Sequence, residues 1–284
     1  MLNRSLAGEA VHLALTAAEW SAGLVVGLLD LPRTSGPVPP APGIGPSAVG
    51  PAEYEAIAGH LAPLDALVDA APAAADADGM RWRHLDETVL FSCTREVDVA
   101  FEEFTARVDI ARVISMTSGY LGGRTAVAER DRAGRAVRQV ERSVNRAQPA
   151  YLALSGAPLL DVCKAETIDY RPDGQVLRWR QVHSPNGSAL QDDGSVSFAR
   201  TDRGTTRITV RAYQCIALPA LWRAVGPVLW PVVRRTLVED AYRRSFTDTL
   251  DTIEARARGT EPSPGPARPH GVDAAGFRHF GPGR

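Results

Sequence analysis

The stretch PVVRRTLVEDAYRRSFTDTLDTIEARAR, residues 231–258, has the pattern of one long amphipathic helix. Pro231 suits its first turn, and Gly259 suits the position just after its end. A helix of this length measures roughly 40 Å and cannot leave an apolar face in water, so other elements must cover that face. The apolar face consists of Val233, Leu237, Ala241, Phe246, Leu250, Ile253 and Ala257.

Strand-like segments separated by turn sequences precede this helix. The first, Glu87–Val97, leads into a short helix at Val99–Arg107, for which Asp98 is the expected N-cap. A second, irregular helical segment then extends to Leu121. Further strands are predicted at Arg124–Arg130, Arg135–Val144, Val162–Tyr170, Gln175–His183, Ser195–Thr201 and Thr205–Ile216. Turn sequences such as Arg171-Pro172-Asp173-Gly174 indicate that neighbouring strands form hairpins.

The chain before this compact region, 82–259, has a different character. Residues 1–31 predict an N-terminal helix, which could pack on the protein or a partner, lie on a membrane surface or span a membrane. Residues 32–51 are a Pro/Gly-rich linker. Residues 52–81 form a second helical segment and a loop, and Pro63 is expected to break or kink that helix. Residues 260–284, rich in Pro and Gly, are expected to be a disordered tail.

This order of elements resembles the START/Bet v 1-like superfamily, also called SRPBCC proteins. The resemblance covers residues 82–259 and rests on the element order, on Val97-Asp98-Val99-Ala100-Phe101, and on the Pro-rich apolar approach Ile216–Val233. It implies an α+β helix-grip fold, a seven-stranded antiparallel sheet wrapped around a long C-terminal helix, with an apolar cavity inside. The superfamily includes lipid and sterol carriers, plant hormone receptors, polyketide aromatase/cyclases and ring-hydroxylase subunits.

The composition excludes several classes of function. A net charge of −1 argues against a nucleic-acid-binding protein that relies on a broad basic surface. Cys93, Cys163 and Cys215 are far apart, which favours buried reduced thiols and a cytoplasmic protein, with peripheral membrane association as an alternative. Phosphate-binding, dinucleotide-binding and nucleophile-elbow motifs are missing, and the histidines do not cluster. We therefore expect no cofactor and no metal.

Strand alternation predicts which side chains face the cavity. On Val162–Tyr170, this reasoning places Cys163, Ala165 and Thr167 inside and leaves the charged residues Lys164 and Glu166 outside. An apolar pocket with a few convergent polar groups is the usual small-molecule site. The predicted ligand-binding residues are Trp179, Gln181, Gln214, Thr167, Tyr242, Phe246 and Trp230.

Three residues are candidates for catalysis, each with a structural alternative. His183 could act as a general acid or base, or could simply be exposed at a strand end. Glu141 could be a cavity base, or an outward-facing charge among arginines. Tyr151 could donate a hydrogen bond to a developing enolate, or could serve only in packing.

The sequence thus predicts a protein that binds a hydrophobic small molecule, a polyketide-like intermediate or a lipid, in an internal cavity. An enzymatic version would be cofactor-free cyclisation or dehydration by a cyclase or aromatase-like enzyme. The alternatives are a non-catalytic lipid carrier, or an accessory protein that docks on a membrane or a protein partner through its N-terminal helix. A nucleic-acid partner is not expected.

Overall fold

The computed structural model describes residues 49–72, 79–85, 88–117, 120–146, 159–216, 238–260, 269–272 and 278–280. The helices are α1 (Pro51–Asp69), α2 (Phe101–Arg107) and α3 (Glu239–Ala257), with a 3₁₀ helix at Ile110–Met116. The strands are β1 (Arg81–Leu85), β2 (Thr88–Val97), β3 (Tyr120–Arg130), β4 (Ala136–Arg146), β5 (Leu159–Arg171), β6 (Gly174–His183), β7 (Ala189–Arg200), β8 (Thr206–Ile216), β9 (Pro269–Val272) and β10 (Arg278–Phe280).

All described strands join one antiparallel sheet in the order β1-β2-β8-β7-β6-β5-β4-β3-β10-β9. Strands β3 to β8 form a continuous meander, and β2 returns to pair with β8. The main body of the sheet has eight strands where seven were expected, because β1 adds an edge strand beside β2. The C-terminal tail, expected to be disordered, contributes the two short strands β9 and β10 next to β3.

Several local predictions need correction. Asp98 does not cap α2, because Ala100 is the N-cap and makes no side-chain capping bond. Pro63 neither breaks nor ends α1, which continues through it to Asp69. Strand β7 begins at Ala189, six residues before the predicted start at Ser195, so that Asp192 and Asp193 become part of the sheet.

The C-terminal helix α3 covers the inner face of the sheet. Leu250, Ile253 and Ala257 are buried in one apolar cluster with Phe91 and Val210 of strands β2 and β8. Burying a large apolar side chain is worth about 1.5–3 kcal/mol, so this helix face contributes much of the stability of the grip. The structure describes α3 from Glu239 onward. Residues 231–237, predicted to be its first turns, lie outside the described residues.

The outer face of the same sheet is covered by α1. Ile57, Leu61 and Val68 are fully buried against residues of the sheet such as Ala165 and Tyr213. We expected residues 52–81 to precede the compact domain as a separate segment, whereas the structure makes α1 the cover of a second apolar core. The sheet is therefore buried on both faces, by α3 inside and by α1 outside.

Polar contacts between α1 and the sheet fix the position of this helix. The Asp69 carboxylate accepts two hydrogen bonds from the Arg211 guanidinium, each 2.9 Å long. The Tyr213 hydroxyl donates to Asp65, and His60 Nε2 lies 2.9 Å from Asp193 Oδ2. The sheet residues of these contacts belong to β7 and β8, so these two strands anchor α1 to the outer face of the sheet.

The described part of the chain contains no helix with the length and apolar character needed to cross a membrane. The predicted N-terminal helix, residues 1–31, and nearly all of the linker 32–51 lie outside the described residues. The three cysteines are buried, and none of them forms a disulfide.

Candidate functional site

A cavity of about 130 Å³ lies between α3 and the inner face of the sheet. Most of its wall is apolar, and polar side chains from β4, β5, β7, β8 and α3, together with Thr117, line the rest. The apolar wall includes Val113, Ile114, Leu160, Val162, Val196, Val210, Tyr242, Phe246 and Ile253. The polar wall includes Thr117, Asn145, Lys164, Gln191, Asp192, Gln214, Ser245 and Thr249.

A buried ion pair forms the centre of the polar wall. Lys164 Nζ is 2.9 Å from Asp192 Oδ2, and the two side chains are 4% and 11% exposed. Asp192 Oδ1 accepts hydrogen bonds from Trp179 Nε1 at 3.2 Å and from Gln214 Nε2 at 3.0 Å. The Lys164 ammonium also lies 5.1 Å from the centre of the Trp179 ring. The carboxylate is thus held by three groups, and it in turn holds the ammonium beside the cavity.

Gly194 makes room for the indole that completes this arrangement. It pairs with Trp179 across β6 and β7, and a Cβ atom at residue 194 would lie 2.6 Å from the Trp179 ring. It would also collide with the Arg211 carbonyl on β8. A side chain at this position would therefore push the indole away from Asp192.

A second polar group lies deeper inside the grip, on the adjacent strands β4 and β5. Gln139 is the register partner of Glu166, and Glu141 is the partner of Lys164, so the four side chains form a square on the inner face. Gln139 Nε2 donates to Glu166 Oε2 at 2.6 Å and to the Ala111 carbonyl at 3.0 Å. Both carboxyls are buried, and Glu166 is 0% exposed.

The Glu141 and Glu166 carboxyls are neighbours on the inner face, and buried Glu166 Oε1 has no hydrogen-bond partner among the described residues. Burial raises the pKa of Glu141 well above its usual range; the neighbouring Glu166 raises it further, and Lys164 opposes the rise. Burial also raises the pKa of Glu166, and its hydrogen bond from Gln139 acts in the opposite direction. Burial is the largest influence on the pKa of both groups, and it favours the neutral form of each.

The predicted faces of β5 are reversed in the structure. Lys164 lines the cavity and Glu166 is buried beside it, whereas Ala165 packs in the cluster covered by α1. Thr167, predicted as a ligand-binding residue, shares the outer face with Ala165. Its register partner on β4 is Arg138, whose Nη2 lies 3.5 Å from Glu55 Oε1 of α1. The prediction failed because charged residues were assumed to face water.

The other predicted ligand-binding residues occupy varied positions. Trp179, Gln214, Tyr242 and Phe246 line the cavity. Gln181 is not among the described lining residues; its amide Nε2 donates to the Ala189 carbonyl at 3.0 Å and braces the start of β7. Trp230 lies outside the described residues.

Of the three predicted catalytic residues, the structure describes His183 and Glu141, which do not share a site. His183 is exposed at the end of β6 and lies away from the described cavity wall. Glu141 is buried on the inner face, so its outward-facing alternative is wrong, but it reaches the cavity only through its neighbour Lys164. Tyr151 lies outside the described residues. The described residues hold no group of three or more metal-ligating side chains.

Sequence reasoning missed Lys164, Asp192 and Glu166 as site residues. Lys164 and Glu166 were set aside as surface charges, and Asp192 was placed in a loop before β7. The alternation of Val162, Lys164, Glu166 and Ile168 with Cys163, Ala165 and Thr167 separates the two faces of β5, and the assignment of the charged set to solvent hid Lys164 and Glu166.

Comparison with known proteins finds the likeness in structure alone. Neither a protein-family model nor a curated protein matches the sequence. Human StAR-related lipid transfer protein 5 matches with a TM-score of 0.51 and 12% identity over 73% of this chain and 95% of its own. The Zhui aromatase/cyclase from Streptomyces sp. R1128 matches with a TM-score of 0.42 and 14% identity over 63% and 98% of the two chains. The likeness to the human lipid transfer protein, together with the antiparallel sheet and C-terminal helix described above, shows that this chain has the fold of the START/Bet v 1-like superfamily.

Proposed function

We propose that this protein binds a hydrophobic small molecule, a polyketide-like intermediate or a lipid, in the cavity between α3 and the sheet. The observation that carries the proposal is the cavity wall, in which an apolar surface surrounds one buried ion pair, Lys164–Asp192. Ligand sites of small molecules combine these two features, because apolar walls supply affinity and a few fixed polar groups supply orientation. The likeness to a human lipid transfer protein supports a fold suited to this role.

The cost of the ion pair also supports a binding role. Removing two charges from water costs several kcal/mol per ion, and well-packed apolar residues in their place are often as stable or more stable. Lys164 and Asp192 stand at the cavity surface, where a ligand can touch them. The same cost in a purely structural core would bring little stability in return.

Identification of a co-purifying molecule tests this proposal. The full chain is purified without detergent, extracted with organic solvent and analysed by mass spectrometry. We expect one hydrophobic species near equimolar amount with the wild type and far less with Val196→Phe, which places a larger side chain in the cavity. The exposed residue Val182 supplies the matched control Val182→Phe, which should retain the species. Equal recovery from all three proteins would refute binding in this cavity.

Catalysis of a cofactor-free cyclisation or dehydration is the second candidate. Glu141 favours it, because burial raises its pKa and a carboxyl that stays neutral can supply a proton. Glu141 is the register partner of Lys164 and is not among the described lining residues. Lys164 would therefore donate a proton from its ammonium to the ligand, and the resulting amine would take a proton from Glu141. A polyketide-like extract would favour the cyclase, and a fatty acid or phospholipid would favour a carrier. Docking on a membrane or partner through residues 1–31 stays a prediction.

A further inference from the structure

The ionisable groups inside the grip are unevenly balanced in charge. Among the described residues, one ammonium, Lys164, faces three carboxyls, Asp192 on one side and the neighbouring Glu141 and Glu166 on the other. The ion pair with Asp192 already neutralises Lys164. Asp192 also accepts hydrogen bonds from Trp179 and Gln214, which hold its carboxylate in place.

The hydrogen-bonding capacity of the same groups is not exhausted. An ammonium carries three N–H donors, and Asp192 is its one ion-pair partner among the described residues. Asp192 Oδ2, which faces Lys164, keeps a lone pair that can accept from a hydroxyl. The polar wall can therefore satisfy a carbonyl oxygen from Lys164 or a hydroxyl shared between Lys164 and Asp192.

From this balance, and resting on the ligand-binding function proposed above, we infer that the cavity selects neutral molecules whose polar end is a carbonyl or a hydroxyl, and rejects carboxylates. A carboxylate would enter a buried site in which Lys164, the one cation among the described lining residues, is already paired, close to Asp192 and to Glu141 and Glu166. Like charges at such distances repel strongly where water is excluded. The ligand class is then a neutral ketone, ester or alcohol rather than a free fatty acid.

Asp192 is the residue that sets this preference. Its carboxylate neutralises Lys164 and lies on the cavity wall. Asp192→Asn removes this negative charge, so the Lys164 ammonium should stay near its present position as an unneutralised cation that a ligand can contact. Asp193, the next residue, provides a matched control. It lies on the outer face, where it contacts His60 and accepts the Gln181 backbone N–H at 2.8 Å. Asp193 Oδ2 also accepts from Gln191 Nε2 at 2.8 Å, and an asparagine at this position keeps a carbonyl oxygen that can accept the same bond. The substitution there therefore changes a buried charge while Lys164 and Asp192 keep their contacts.

The test uses two probes of nearly equal shape, neutral acetophenone and anionic benzoate, each with one ring to suit a cavity of about 130 Å³. The full chain is titrated with each probe, and the chemical shift of the Trp179 indole N–H is followed by NMR. We expect wild type to bind acetophenone about tenfold or more tightly than benzoate, given the repulsion between like charges. Asp192→Asn should shift the ratio of acetophenone affinity to benzoate affinity at least about tenfold toward benzoate. Asp193→Asn should leave this affinity ratio unchanged.

The outcomes separate this inference from the proposed function. Benzoate binding that equals or exceeds acetophenone binding in wild type overturns the selection while leaving ligand binding intact. If the ratio of acetophenone affinity to benzoate affinity is the same in Asp192→Asn and Asp193→Asn, Asp192 does not set the preference for neutral ligands. If neither probe moves the Trp179 signal in any protein, the ligand-binding function fails, and the selection fails with it.

Discussion

Asp192 and Asp193 are consecutive residues of β7 whose carboxylates serve opposite faces of the sheet. Asp192 Oδ2 is 2.9 Å from Lys164 Nζ beside the cavity, and Asp193 Oδ2 is 2.9 Å from His60 Nε2 on α1. One strand therefore positions both the polar wall of the cavity and the helix that covers the outer face.

The first prediction concerns α1. Leu61→Ala should lower the free energy of unfolding by about 2–5 kcal/mol, because Leu61 is fully buried between α1 and the sheet. Denaturant unfolding followed by circular dichroism measures this loss. The adjacent exposed residue supplies the control Ala62→Ser, which should change stability by less than about 0.5 kcal/mol. If Leu61→Ala also proved neutral, α1 would not be part of the folded core.

The second prediction concerns the C-terminal helix α3. Leu250→Asp places an unpaired charge in the inner core and should destabilise the protein by several kcal/mol, enough to prevent folding at 37 °C. The neighbouring Asp251 is exposed, so Asp251→Asn serves as the control and should remain near wild type. Thermal unfolding distinguishes them, and equal melting temperatures would contradict the grip around α3.

The sequence allowed the order of strands and helices to be predicted well. Each hairpin of the meander carries its own turn residues, and the apolar face of residues 231–258 identifies a helix that needs a cover. These are local signals, which one segment contains in full. The edge strand β1 was missed, because its sequence, Arg81-Trp82-Arg83-His84-Leu85, is rich in charge and is stabilised by pairing with β2.

The faces of β5 could not be predicted from its own residues. Alternation separates Lys164 and Glu166 from Cys163 and Ala165, but it does not say which set faces inward. The answer depends on α1, a helix about a hundred residues earlier that covers the outer face, and on Asp192, which compensates Lys164. Tertiary partners of this kind leave no trace in a local pattern.

The third prediction concerns the size of the cavity. Phe246 packs on Phe91 with ring centres 4.5 Å apart and forms part of the cavity wall. Phe246→Ala should cost about 3 kcal/mol of stability and add space for a second aromatic ring. We expect this variant to bind the naphthyl analogue of acetophenone more tightly than acetophenone itself, whereas wild type should show the reverse order.

A conservative substitution separates lost packing from gained space at the same position. Phe246→Leu retains most of the apolar volume, so it should cost less stability than Phe246→Ala and should not favour the larger ketone. Calorimetric titration of both ketones provides the measurement. An unchanged order of affinities in Phe246→Ala would place Phe246 outside the ligand site.

The last prediction follows from the raised pKa of Glu141. The folded protein favours the neutral form of the Glu141 carboxyl. At pH values above the ordinary pKa of a glutamate, folding of the wild-type protein is therefore coupled to proton uptake by Glu141. Stability from this group is therefore fully present at low pH and falls as pH rises toward the folded-state pKa, by up to about 1.4 kcal/mol per pH unit. Glu141→Gln cannot ionise, and it keeps nearly the same side-chain volume. The difference in unfolding free energy between Glu141→Gln and wild type should thus increase in favour of the variant from pH 5 to pH 8, as measured by urea unfolding.

The control for this prediction is Glu129→Gln, at an exposed position of β3, which should show no such trend. If the difference in unfolding free energy between Glu141→Gln and wild type stayed constant with pH, Glu141 would be ionised in the folded protein.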